Sequence, residues 1–171
     1  ELGRVTTGTD GAVSLRADTG SISDVQMPMT DVNVTTTSLL LSAGTGIGTG
    51  ANPIEIDVAN LTSAAGSGGL FLRESNAVTV TEVSLTVLPV ALDGTTSAGT
   101  AENRTQSDLL TTAGGAIVLR AGADITLDDG DDDDIAVEAG AAGNVLVESL
   151  GGALTQNAAI DGGLGDISLL A

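Results

Sequence analysis

One short phrase recurs along this chain and constrains its fold more than any other feature. A small residue precedes an apolar–x–apolar pair and a polar residue, and a second apolar cluster follows eight or nine positions after the first. The phrase reads Gly-Ala-Val-Ser-Leu-Arg from Gly11 to Arg16, followed by Ile22. It returns at Leu39, Leu40 and Leu41 with Ile47, and as Gly-Gly-Leu-Phe-Leu-Arg from Gly68 to Arg73 with Val78 and Val80. Further copies run from Gly115 to Arg120 and from Gly143 to Glu148, and a partial one from Gly165 to Leu169. The first apolar positions are Val13, Leu39, Leu70, Ile117, Val145 and Ile167, at successive intervals of 26, 31, 47, 28 and 22. Such a period suits one coil of a solenoid and not a sandwich with hairpin returns. The gap of 47 reads as two periods, with the strand-like run from Val83 to Val90 supplying the missing turn.

Alternation of two, as in Val145/Val147 and Ile125/Leu127, marks strands with one face turned inward. Gly and Asn between the copies permit the positive-φ corners a coil needs. No sustained i, i+3, i+4 pattern supports a helix, and the best helical candidate, Ser107 to Thr112, is too short to matter. The chain is 42% hydrophobic but only 1% aromatic, with Phe71 its single ring. Stacked coils bury aliphatic side chains in rows and need no rings. The expected fold is therefore all-β: a parallel β-helix of roughly seven coils, rising about 30–35 Å. Residues 1–171 form one solenoid segment, a repeat unit or fragment of a longer chain.

Within that helix, Leu15, Leu72, Leu119 and Val147 are expected to point inward in one row, with Val13, Leu70, Ile117 and Val145 two positions earlier on the same face. Arg16, Arg73 and Arg120 follow an inward Leu in three copies, which favours an outward charge row or pairing with acids on an adjoining coil.

Composition excludes several functions. Five arginines face 23 acids, for a net charge of −18, and there is no His, Cys or Lys. No basic face is available to neutralise phosphates and no aromatic platform to stack bases, so nucleic acid is not a partner. Thiol and imidazole chemistry, and zinc or iron–sulfur sites built on Cys and His, lack their residues. No apolar run approaches the length of a membrane span, and no signal peptide is visible at the start.

The run from Ser42 to Leu61 resembles a recurring phrase of very large bacterial exoproteins, the filamentous-haemagglutinin-like "beta strand repeat" family. The stretches from Thr112 to Arg120 and from Ala158 to Leu169 are similar to the rest of that repeat. The resemblance implies export, a long β-solenoid shaft, and a role in adhesion or matrix at the bacterial cell surface.

The strongest local anomaly is acidic. Asp128, Asp129, Asp131, Asp132, Asp133 and Asp134 crowd into one short stretch, flanked by Asp124 and Glu138. Crowded carboxylates repel, and a hard divalent cation such as Ca²⁺ would relieve that with oxygen ligands. The spacing matches no EF-hand, and Gly162 to Asp166 only approaches a glycine–aspartate calcium repeat. The competing reading is a solvated acidic corner. A calcium-binding adhesion module is thus one alternative function. A polysaccharide-active β-helix enzyme is a remote one, because no aromatic sugar platform accompanies the carboxylates. Thr35, Thr36 and Thr37 reflect strand propensity, not a flat ice-binding array. Three sequons, at Asn33, Asn60 and Asn103, are expected by chance in a Thr-rich chain, and Gly44 to Gly50 is a turn with no phosphate-binding Lys.

The expected function is non-enzymatic and extracellular: a shaft or filament unit of a surface adhesin or matrix fibre. Neither terminal stretch carries a polar cap. Each end is therefore expected to be covered by flanking repeats or by a second copy associating head-to-tail, with a host or neighbouring cell surface as the further partner.

Overall fold

The computed structural model describes residues 1–25, 31–96, 99 and 101–171. Among these the chain is all-β, without an α-helix. The N-terminal strands are β1 (Val5–Thr6), β2 (Ala12–Ala17), β3 (Val34–Ala43), β4 (Gly46–Ile47) and β5 (Ile54–Ala65). Then come β6 (Gly69–Glu74), β7 (Val78–Val80), β8 (Val83–Val87), β9 (Glu102–Gln106) and β10 (Leu109–Thr111). The C-terminal set is β11 (Ile117–Ala121), β12 (Ile125–Leu127), β13 (Ile135–Ala139), β14 (Val145–Ser149), β15 (Leu154–Gln156), β16 (Ala159–Asp161) and β17 (Ile167–Leu170). Fifteen strands belong to one sheet, paired in parallel throughout, that curls into a nearly closed solenoid.

Three faces of the curl carry rows of stacked side chains. On the first, Leu15, Leu41, Ser63, Leu109, Val137 and Ile160 are successive cross-strand partners. On the second, the row is Ile22, Ile47, Leu70, Ile117, Val145 and Ile167. Two positions further along that face run Ile54, Leu72, Leu119, Val147 and Leu169. On the third, Leu61, Val80, Leu127 and Gln156 stack. Alternation explains why these residues and not their neighbours form the core. Along Ile117–Ala121, Ile117, Leu119 and Ala121 are buried while Arg120 is exposed. The interior is aliphatic, with Leu39, Leu41, Ile54, Leu70, Leu72, Ile117 and Leu119 fully enclosed.

The expected single row is in fact two. Leu15 belongs to the first face, over Leu41, whereas Leu72, Leu119 and Val147 belong to the second. Val13 likewise pairs with Leu39, not with the row through Leu70. Both faces need an apolar–x–apolar strand, so the same local phrase serves either one. The arginines divide in the same way. Arg73 and Arg120 are neighbours on adjoining strands, while Arg16 lies beside Ser42 on the other face. Arg120 does pair across strands, its Nε donating to Glu148. Arg16 pairs locally with Asp18.

The run from Val83 is not a missing turn. β8 pairs antiparallel with β9, so the two form a hairpin inserted between β7 and β10, outside the parallel sheet. This insertion lengthens one period, the step from Leu70 to Ile117, whereas every other step along the row from Ile22 to Ile167 has the length of a single coil. Ser107 to Thr112, the best helical candidate, contains β10.

The corner glycines act through their lack of a side chain. Gly44, Gly66, Gly115, Gly143 and Gly165 form a column between the first and second faces. A Cβ on each would collide with the carbonyl oxygen of Asp18, Gly44, Gly66, Gly115 and Gly143 respectively. None of the five has a left-handed φ, so close backbone approach, not conformational freedom, requires glycine there.

Candidate metal centre

The hairpin leaves the sheet after β7 and returns through Gln106, Ser107 and Asp108. Gln106 Nε2 donates to Leu41 O and to Thr62 Oγ1, both at 3.1 Å, which seats the hairpin root on the first face. Asp108 takes a left-handed φ of 64°, a conformation Asp tolerates better than most residues, and directs the chain into β10. Its carbonyl accepts from Ser63 N and from Thr62 Oγ1.

Opposite this root lies the turn between β12 and β13. Asp129 organises it: Oδ1 accepts from the N–H of Asp131 (3.2 Å) and Asp132 (2.9 Å), and Oδ2 from that of Asp134 (3.0 Å). Desolvation pushes the Asp129 carboxyl up, but the N–H groups of Asp134, Asp131 and Asp132 outweigh it and hold it below its ordinary range. Asp132 and Asp134 adopt φ of 66° and 69°, and Asp133 Oδ1 accepts from Ile135 N. Gly130 presses on the hairpin entrance, since a Cβ there would lie 2.5 Å from Glu82 N. Ser107 Oγ donates to Asp131 Oδ2 at 2.8 Å, linking root and turn.

The result is a cleft of about 340 Å³ that includes Glu82, Asp108, Asp131, Asp133 and Glu138 in its wall. One carboxylate oxygen from each of Asp108, Asp131 and Asp133 lies within 4.8 Å of the others. Asp108 is only 8% exposed, and its Oδ1 is buried without a hydrogen-bond partner. Burial, together with the charges of Asp131, Asp133 and Asp129, pushes its carboxyl up to about 6, against a lowering hydrogen bond from Ser107.

Of the six acids expected to hold a metal, the fold therefore gathers Asp131 and Asp133 with a seventh, Asp108. Asp129 is the internal acceptor of the turn, and Asp132 and Asp134 are exposed turn residues. Asp128 accepts instead from Asn157 Nδ2 at 2.6 Å. No local pattern singles out Asp108. It is remote from Asp131 in sequence and joins it only because the sheet stacks β10 against β13.

A second acidic region lies near the N-terminal strands. Asn33 Nδ2 donates to Asp24 Oδ1 at 2.7 Å, and Asn33 Oδ1 accepts from Glu55 N. Glu74 accepts from Val58 N and Asn76 N, yet burial prevails and pushes its carboxyl up to about 7. Burial and the nearby Asp24 charge also raise Glu55, against hydrogen bonding and the Arg73 charge.

Comparison with known proteins returns no matching family model, no matching curated protein and no matching solved structure.

Proposed function

We propose that this protein is a parallel β-helix of about six coils, one for each stacked partner in the row from Ile22 to Ile167, a structural shaft segment or filament unit of an extracellular bacterial surface or matrix fibre, and not an enzyme. The contrast between the last strand and the one beneath it carries this conclusion. Val145 and Val147 are 2% and 0% exposed, whereas their partners on β17, Ile167 and Leu169, are 46% and 40% exposed. Among the described residues, β17 pairs on one side only. An aliphatic cross-section edged by unpaired backbone groups is a surface suited to take another coil. A second copy stacked head-to-tail fits it. Such a contact is heterologous and need not close, so repetition yields a fibre. The phrases at 42–61, 112–120 and 158–169 support export and a surface role through the resemblance they carry. Without His, Cys or Lys, the side chains left for catalysis are mainly carboxylates, hydroxyls and Arg.

Light scattering and negative-stain microscopy of the full chain over a concentration series test this reading. End-to-end particles that lengthen with concentration are expected, and Leu169→Arg, at an already exposed position, should abolish them while leaving the β circular dichroism intact. A strict monomer at every concentration would overturn it.

A further inference from the structure

We propose that Asp108, Asp131 and Asp133 form a calcium site that fastens the root of the β8–β9 hairpin to the turn between β12 and β13. The site goes beyond the structural role proposed above and does not depend on it. Oxygens bound to Ca²⁺ at about 2.4 Å lie at most about 4.8 Å apart, and the three carboxylates already meet that limit without rearrangement. Mg²⁺, with oxygens at about 2.0–2.1 Å, would require them to close to about 4.2 Å or less and to sit octahedrally.

Asp108 supplies the observation that a merely solvated acidic corner would not. The residue is only 8% exposed, it lines the cleft, and its Oδ1 is buried without a hydrogen-bond partner. A buried carboxylate oxygen without a donor is costly. Among the described residues the cleft wall adds Glu82 and Glu138 but no cationic side chain. A bound dication satisfies the oxygen and neutralises its neighbours together. The surroundings hold the ligands in place: Asp129 gathers the N–H groups of the turn, and Ser107 anchors Asp131. The cleft has room for the waters that complete a coordination number of six to eight.

Isothermal titration of the full chain with CaCl₂, ionic strength matched with NaCl, tests the site. One-to-one binding with a Kd on the order of 10⁻⁴ to 10⁻³ M is expected. Asp108→Asn and Asp131→Asn should each weaken it about tenfold or more, because affinity follows the ligand charge count. Asp132→Asn removes the same charge from the same turn but outside the trio, at a φ that Asn tolerates, and should change the Kd less than about twofold. Calcium should also slow hydrogen exchange at Ser107 to Leu110 in the wild type and not in Asp131→Asn, a readout that survives if Asp108→Asn fails to fold. Absence of saturable binding at millimolar CaCl₂ overturns the proposal, as does equal weakening by Asp132→Asn, which would mean diffuse counterion attraction. End-to-end assembly of Asp108→Asn is expected to match the wild type, so the two proposals fail separately.

Discussion

Replacing Gly115 by Ala isolates the force that holds successive strands in register. The new Cβ would stand 2.5 Å from Gly66 O and 3.0 Å from Gly69 Cα, all backbone within the stack. Ordinary contact for a Cβ begins at 3.4 Å, so the corner must move by about 0.9 Å. Leu70 N donates to Ala116 O at 2.8 Å, and the same movement stretches that bond to about 3.7 Å, beyond useful hydrogen-bond length. Overpacking of this kind, with one or two ladder bonds weakened, costs about 2–4 kcal/mol. The lower chain entropy of Ala in the unfolded state offsets less than about 1 kcal/mol of it. Gly20→Ala is the internal control, since nothing lies within 4 Å of its Cβ position and its φ is not left-handed. That substitution should stabilise by about 0.4–1 kcal/mol. Urea unfolding followed by far-ultraviolet circular dichroism gives both midpoints, and the chain has no Trp to make fluorescence a better probe. Equal midpoints for the two variants would refute the close-approach explanation of the glycine column.

The inside and outside of the second face can be separated at adjacent positions. Leu119→Asp places an unpaired carboxylate between Leu72 and Val147 and should lower stability by about 4 kcal/mol or more, whereas Arg120→Ala loses a half-exposed ion pair and should cost less than about 1 kcal/mol in the same denaturation assay. The pH dependence follows from Glu74, whose carboxyl is raised by burial from 4.5 to about 7, a difference of about 3 kcal/mol. The folded state holds this proton more tightly than the unfolded chain, so the contribution is fully present below pH 4.5 and is lost as pH rises through about 7. Urea midpoints should therefore fall from pH 5 to pH 8, and Glu74→Gln should flatten that fall; an unchanged slope would refute the assignment.

Much of the architecture was legible along the chain. Alternation in Ile117–Ala121 and Val145–Ser149 identifies strands and their buried faces, because side-chain direction in a strand is a purely local property with a period of two. The scarcity of rings and the return of one apolar phrase at coil-length intervals point to stacked parallel strands from the sequence alone. The acidic turn was equally visible, as a cluster of charges with no local compensation.

Which strand lies on which was not legible. Gly11 to Arg16 and Gly68 to Arg73 read almost alike, yet one belongs to the first face and the other to the second. An aliphatic interior accepts the same phrase from either side, so only backbone register, set by corners and glycine contacts around the whole curl, separates them. The run Val83–Val87 has the same strand propensity as the sheet it leaves, and its antiparallel pairing with Glu102–Gln106 decides its direction. Asp108 is the sharpest case. Alone in sequence it is one acid before two leucines, and its partners come from a turn beyond the next three strands of the chain. Sequence by itself determined the parts whose physics is local: strand periodicity, aliphatic core, acidic charge. Tertiary structure alone decided the stacking partners and the Asp108–Asp131–Asp133 cluster, because those contacts depend on distances closed by the entire fold.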